Sequence, residues 1–183
     1  MFAPVIVTLA FVKGIQQIPN TLTLLNLLFG MIAIVFSMNG QIVYAGWMIV
    51  LAAMMDVLDG LSARILNVRT MIGGDLDSLA DAVSFGVAPA MIIYKMMWLN
   101  INREKLAYLP AELIDKPIGW EIYYWPFLAF FMAIVGVIRL ARFNNDTRQS
   151  HVFIGLPIPA SGLFFAFMPI VFYSLIHMPS LTY

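Results

Sequence analysis

Long apolar stretches separated by short polar breaks extend along most of the chain. Residues 14–55 contain no charged side chain, and this stretch is too long for one membrane-spanning helix of about 20 residues. Asn39 and Gly40, within the break at residues 37–41, are turn formers that divide it. The pattern therefore predicts five helices, at about residues 22–38, 42–55 with a continuation into the polar residues that follow, 75–98, 121–143 and 159–176.

Prolines and glycines mark where these helices are expected to begin or bend. Pro19 comes just before the first helix and Gly73 and Gly74 before the third, and Pro89 predicts a kink inside the third. Residues 99–119 are more polar and are predicted to form a connection. Residues 1–17 lack the basic start and cleavage site of a signal peptide, so we expect an interfacial segment there.

Composition indicates the same class of protein. The chain is 62% hydrophobic and 11% charged, with a mean hydropathy of +0.89, whereas a soluble domain is about half apolar and a quarter charged. We therefore predict an all-α, polytopic transmembrane helix bundle forming a single domain over residues 1–183. The net charge of zero gives no indication of nucleic-acid binding, and the absence of cysteine excludes disulfides and thiol catalysis.

The distribution of lysine and arginine predicts the orientation in the membrane, because basic residues favour the cytoplasmic side. The end of the second helix, the start of the third and the end of the fourth share one side. That side carries six of the ten basic residues, namely Lys13, Arg64, Arg69, Arg139, Arg142 and Arg148. The bias is small, and it predicts that the polar segment at residues 56–81 faces the cytoplasm.

Five of the ten acidic residues lie within residues 56–81. Asp56 and Asp59 share one helix face with Gly60 and Ala63, because residues three, four and seven apart lie on the same side. Asp77 and Asp81 are four apart and share a face of the third helix, whereas Asp75 points elsewhere and is interpreted as a helix-start residue. Two antiparallel helices would bring the two aspartate pairs together.

Four converging carboxylates near a bilayer would repel one another, and each costs roughly 2.5–3.5 kcal/mol to place there. Two divalent cations, Mg²⁺ or Mn²⁺, would offset this charge and could clamp phosphoryl oxygens. Gly60 and Ala63, with Gly73 opposite, leave room for a ligand, and Arg64 offers a planar fork to a phosphate. The residues therefore predict a nucleotide-diphosphate site that accepts a lipid tail from the bilayer.

The order D-x2-D-G-x2-A-R-x8-G-x3-D-x3-D resembles the signature of the CDP-alcohol phosphotransferase family. Its eight positions are Asp56, Asp59, Gly60, Ala63, Arg64, Gly73, Asp77 and Asp81. Residues 19–30, 81–90, 139–144 and 153–161 are similar to the phosphatidylserine synthase branch, mainly its bacterial members. The resemblance extends over about residues 18–161.

This resemblance implies an enzyme that transfers the phosphatidyl group of CDP-diacylglycerol to L-serine and releases CMP. It implies metal binding by Asp56, Asp59 and Asp77, with Asp81 as a fourth ligand and as the general base. A carboxylate held tightly by a metal is a poor base, so Asp81 could serve only if it is bound less tightly and is less solvated. The CDP-binding residues implied are Asn20, Thr23, Asp56, Gly60, Ala63, Arg64 and Gly73.

The family also implies six transmembrane helices, a homodimer and, for a bacterial member, the inner membrane with the active site at the cytoplasmic face. With five spans predicted here, either a C-terminal helix is missing or residues 5–12 enter the membrane.

Several polar residues outside the motif are further candidates. Arg139 and Arg142 share a face and could bind the serine carboxylate or a lipid phosphate, and Ser84, one turn beyond Asp81, could contact the acceptor. Asn26 is polar within an apolar helix, and ligand contact and helix–helix hydrogen bonding explain it equally well.

Three alternatives remain open from the sequence. A sibling enzyme would use glycerol 3-phosphate or inositol phosphate as the acceptor, which should demand more basic residues near the site. A divalent-cation transporter would need acidic residues in the middle of several spans, whereas here they cluster at one end of two helices. The third alternative is a catalytically inactive lipid-binding homologue.

Overall fold

The computed structural model describes residues 17–67, 72–108, 124–145 and 158–177, and these residues form helices and their connecting turns. In chain order the elements are α1 (Ile18–Met38), α2 (Ile42–Ile65), α3 (Gly73–Asp81), a π-helical turn (Ala82–Val87), α4 (Ala88–Tyr108), a 3-10 turn (Trp125–Leu128), α5 (Ala129–Asn145) and α6 (Ile158–His177). The described ranges contain no strand, which confirms the predicted all-α class.

The first two helices form a hairpin. α1 ends at a tight turn in which Gly40 has a φ of 78°, a left-handed conformation that glycine adopts without steric cost. The predicted break is therefore confirmed, with the non-helical residues limited to 39–41. α1 begins at Ile18, four residues earlier than expected, because Pro19 occupies the first turn of the helix, where proline is tolerated.

α1 places its small and polar residues inside the bundle and its large apolar residues outside. The outward face includes Leu24, Leu28 and Val35, which are exposed. Small inward residues allow helix backbones to approach closely, as is common in membrane bundles, where lipid already solvates large apolar side chains. The buried face consists of Pro19, Thr23, Asn26, Gly30, Ala33 and Ser37.

Three glycines lie at close helix–helix contacts. A Cβ atom built on Gly30 would lie 2.8 Å from the Cα of Ser84, and one on Gly162 would lie 2.9 Å from the Cα of Phe85. On Gly46 it would lie 2.6 Å from a backbone oxygen of α6. The π-helical turn is therefore held between α1 and α6 at distances that only glycine allows.

Replacing Gly30 with alanine is expected to destabilise the bundle by about 1–3 kcal/mol, because the added methyl group has to push the backbone of Ser84 aside. Thermal unfolding in detergent measures this loss. Gly136→Ala is the matched control: a Cβ there meets nothing within 4 Å, and alanine improves helix propensity. Equal melting temperatures for the two variants would contradict the close-contact argument.

α3, the π-helical turn and α4 form one continuous helical segment from Gly73 to Tyr108. It begins two residues before the predicted start. The irregularity predicted at Pro89 is instead the π-helical turn that ends two residues before it. Proline in a regular helix would clash with the carbonyl four residues earlier, here that of Phe85, and the wider turn provides space for the ring.

The prediction of a non-helical polar connection at residues 99–119 is wrong for residues 99–108. Helix α4 continues to Tyr108, because residues 101–108 include strong helix formers and contain no proline or glycine. Residues 109–119 lie outside the described residues, as do residues 1–16 of the predicted interfacial segment.

Four helical segments are long and apolar enough to cross a membrane: Ile18–Met38, Ile42–Ile65, Gly73–Asn100 and Trp125–Asn145. The fifth predicted span corresponds to α6, which is apolar over Ile158–Val171. The chain is an integral membrane protein of the predicted polytopic helical type. Its organisation as one domain over residues 1–183 stays a prediction.

Candidate functional site

An acidic cluster lies where α2 and α3 face each other. Asp56 and Asp59 are on α2 and Asp77 is on α3, and one carboxylate oxygen from each lies within 4.8 Å of the other two. Helical spacing predicted that Asp56 and Asp59 share one face of α2, and the structure places Asp77 of α3 next to them. Three of the four predicted metal ligands are therefore close enough to share an ion.

Asp81 lies beside this cluster, one turn after Asp77. Its side chain is 9% exposed, and that of Asp59 is 6% exposed, so water screens their charges only weakly. The charges of Asp56, Asp59 and Asp77 all act on Asp81. Asp75, by contrast, is exposed in the first turn of α3, as expected for a helix-start residue.

The donor set fits the divalent cation predicted from the sequence. Clustered carboxylates repel one another and require positive charge close by. Carboxylate oxygens are hard ligands of the kind that Mg²⁺ and Mn²⁺ prefer. The residues present therefore support binding of a divalent cation between α2 and α3.

Helix α1 contributes two polar side chains to the cluster. The Thr23 hydroxyl lies 2.7 Å from Asp59 Oδ2 and 3.0 Å from the backbone oxygen of Pro19. It has one proton, and the shorter contact to a charged acceptor is the stronger hydrogen bond. The Asn26 amide nitrogen donates to Asp81 Oδ1 at 3.2 Å. One helix thus contacts carboxylates on two others.

The predicted CDP-binding residues surround the same end of the helix pair. Gly60 is exposed, and a Cβ on it would meet nothing within 4 Å, so open space lies next to Asp59. Ala63 is partly buried and Arg64 is exposed in the last turn of α2. Gly73 is the first residue of α3, and Asn20 is partly buried in the first turn of α1. Contact of these residues with CDP stays a prediction.

The C-terminal end of α5 lies against α3. Asn144 donates from its amide nitrogen to Ser78 Oγ at 2.7 Å, and Ser78 donates to the backbone oxygen of Gly74 at 2.9 Å. This places the last turns of α5, with partly buried Arg139 and exposed Arg142, at the same end of the bundle as the acidic cluster.

Ser84 is fully buried in the π-helical turn. Its hydroxyl donates to the backbone oxygen of Asn26 at 3.0 Å, so the structure gives it a helix–helix contact. The predicted contact between Ser84 and the acceptor stays a prediction.

Sequence reasoning missed two contacts of this site. It assigned Thr23 to CDP, which stays a prediction, without expecting its hydrogen bond to Asp59, and it gave no role to Ser78. The signal for Thr23 was present, because Thr23 and Asn26 lie three apart, in register with Gly30, on the polar stripe of an apolar helix. No comparable signal marks Ser78.

Comparisons with known proteins agree on one family. The family model for CDP-alcohol phosphatidyltransferases matches residues 16–182. The chain is similar to proteins named CDP-diacylglycerol–serine O-phosphatidyltransferase from Helicobacter pylori, at 36% identity over 154 residues, and Mycobacterium tuberculosis, at 34% over 157 residues. A protein of the same name from Bacillus subtilis is 32% identical over 152 residues.

These matches cover most of the chain and a varying share of the relatives. They include 83%, 82% and 81% of this chain and 56%, 48% and 72% of the Helicobacter, Mycobacterium and Bacillus proteins respectively. The chain thus spans about half the length of the first two relatives. No solved structure matches it significantly.

Proposed function

The chain belongs to the CDP-alcohol phosphatidyltransferase family, and from this membership we propose that it transfers the phosphatidyl group of CDP-diacylglycerol to the hydroxyl of L-serine, giving phosphatidylserine and CMP. The observation that carries the proposal is the acidic cluster, in which Asp56, Asp59 and Asp77 converge from two helices. The names of the three relatives support serine as the acceptor.

We propose that Asp56, Asp59 and Asp77 hold divalent cations, two ions of Mg²⁺ or Mn²⁺, with Asp81 completing the set. Bound there, the cations would supply positive charge to the diphosphate oxygens and stabilise the charge that develops on CMP as it leaves. Arg64 would add a fixed positive charge nearby, and the open space at Gly60 would admit the nucleotide close to the α2 backbone.

Asp81 acts as the general base in this proposal. Its Oδ1 accepts the hydrogen bond from Asn26, and we assign to Oδ2 the removal of the proton from the serine hydroxyl. The serine oxygen then bonds to the lipid-side phosphorus, and the bond from that phosphorus to the bridging oxygen breaks to release CMP. Arg139 and Arg142, at the neighbouring end of α5, are proposed to hold the serine carboxylate or the lipid phosphate.

The same proposal places the lipid tails and the acidic cluster relative to the membrane. The diacylglycerol tails stay in the bilayer beside exposed apolar residues of α2 such as Val57 and Leu61, while the cluster faces the cytoplasm from the inner membrane. A homodimer stays a prediction.

The deciding experiment is CMP release by the purified protein in detergent, with CDP-diacylglycerol, Mg²⁺ or Mn²⁺, and each acceptor alcohol in turn. Release that requires both serine and the metal would establish the activity. Release with glycerol 3-phosphate or inositol phosphate, and not with serine, would support the family's reaction and contradict serine as the acceptor. If no acceptor gives CMP, the proposed activity fails for this chain.

Replacing Thr23 with valine is expected to weaken metal binding by about 10- to 100-fold, the usual cost of losing a hydrogen bond to a metal ligand. Valine has the shape of threonine but cannot donate to Asp59. The apparent metal affinity comes from CMP release against Mn²⁺ concentration, and Mn²⁺ binding by electron paramagnetic resonance checks it without turnover. Rates should recover when the metal concentration is raised; unchanged affinity would show that the hydrogen bond does not support the site.

A further inference from the structure

We propose that Asn26 is a positioning residue of the reaction: its amide holds the Asp81 carboxylate so that Oδ2 faces the acceptor hydroxyl. The inference rests on the proposed function and adds a residue on α1 to it. It assigns Asn26 a role through Asp81, not a contact with substrate.

The contact between Asn26 and Asp81 is the first support. The amide nitrogen lies 3.2 Å from Asp81 Oδ1, and Asn26 is 0% exposed. A carboxylate at the start of an irregular helical turn could rotate about its side-chain bonds, and a bond to one oxygen fixes the position of the other. A general base has to lie within hydrogen-bond reach of the proton it removes, so its orientation affects the rate directly.

The backbone around Asn26 is also fixed. Its carbonyl oxygen accepts the Ser84 hydroxyl at 3.0 Å, and Gly30, one turn later, allows α1 to approach the Ser84 backbone. Asn26 thus contacts the helix at Asp81 through its side chain and at Ser84, three residues later, through its main chain. The π-helical turn begins directly after Asp81, and π turns are frequent at functional sites.

The chemistry of the amide suits this position. A lysine or arginine would form an ion pair with Asp81 and weaken it as a base, and another carboxylate would increase the repulsion within the cluster. The amide donates a hydrogen bond without adding charge.

The amide is also incompletely paired. Within the part of the chain that the structure describes, Asn26 Oδ1 is buried and has no hydrogen-bond partner. A buried polar atom without a partner destabilises the fold. This cost, borne beside a carboxylate of the proposed site, supports a functional reason for the amide.

The test compares two variants at saturating metal. Asn26→Leu removes the polar group, and Asn26→Asp keeps the shape while replacing the neutral amide with a carboxyl group that repels Asp81. Both are expected to lower kcat by about 10- to 100-fold, the range seen for supporting hydrogen bonds, with KM for serine and for CDP-diacylglycerol within about threefold of the wild type. Mn²⁺ binding should change less for Asn26→Leu than for Thr23→Val, because Thr23 bonds to Asp59 within the three-carboxylate cluster.

Thr23→Val is the matched control, since it removes the other hydrogen bond from α1 to the cluster. Added metal should restore Thr23→Val and should not restore Asn26→Leu. Two results would overturn the proposal: a KM for serine that rises at least tenfold with kcat unchanged, which means direct binding of the acceptor, and a lower melting temperature with unchanged kcat, which means a packing role only. If the wild type uses an alcohol other than serine, the acceptor assignment fails, and the same kcat and KM comparison with that alcohol still decides the role of Asn26.

Discussion

Asp56→Asn is expected to abolish CMP release, with a loss of at least about a thousandfold, which corresponds to about 4 kcal/mol of transition-state stabilisation. Asp56 is one of three carboxylates whose oxygens lie within 4.8 Å of one another. Asparagine keeps the shape and removes the negative charge that attracts the cation. The diphosphate would then lose the positive charge that the proposed reaction requires.

A second measurement separates this effect from misfolding. Without metal, Asp56→Asn should be at least as thermally stable as the wild type, because it relieves repulsion by Asp59 and Asp77. With Mn²⁺ the wild type should gain stability by mass action and the variant should gain much less. The control is Asp75→Asn, at an exposed position in the first turn of α3, which should stay within a few-fold of wild-type activity. Near-normal turnover by Asp56→Asn would refute the metal site.

Asp81→Asn is expected to lower kcat by about 10²- to 10⁴-fold, the contribution of a positioned general base. The carbonyl oxygen of the new amide can still accept the hydrogen bond that Asn26 donates to Asp81, so the α1–α3 contact should survive. KM for serine should change little, because the variant removes proton transfer and leaves the binding groups in place.

The thermal shift with Mn²⁺ assigns the role of Asp81. If Asp81 is mainly the base, Asp81→Asn keeps most of the shift while losing turnover, the opposite of Asp56→Asn. Loss of both would show that Asp81 is primarily a metal ligand, and the general-base assignment would then be wrong.

The helices and the acidic cluster were predictable because each depends on short-range pattern. A charge-free stretch with one turn between Met38 and Ile42 can form only two spans. Likewise, 3.6-residue periodicity puts Asp56 and Asp59 on one face regardless of what packs against them. The convergence with Asp77 needed only one further assumption, that consecutive helices are antiparallel.

The contacts from α1 could not be predicted in the same way. Periodicity shows that Thr23 and Asn26 face inward, but it does not show which helix they meet. Their partners, Asp59 and Asp81, are 36 and 55 residues away in the sequence. The pairing depends on how three helices pack, which includes the close approach of Gly30 to Ser84.

The extent of the third predicted helix was misjudged for a different reason. Hydropathy falls after Trp98, and this fall was interpreted as the end of the helix, although a helix can continue beyond the apolar layer when its residues favour helical structure. The π-helical turn left no clear mark in the sequence apart from Pro89.

The π-helical turn also sets the angular relation between the two parts of the helix that contains it. An α-helix advances about 100° per residue, and a π turn contains about one residue more than an α turn. Residues after Val87 are therefore rotated by about 100° from where an uninterrupted α-helix would place them. On one side of this offset Asp77 lies in the acidic cluster, and on the other side Ile92 packs in the core. The orientation of the reactive end is thereby uncoupled from the packing register of the membrane-embedded part.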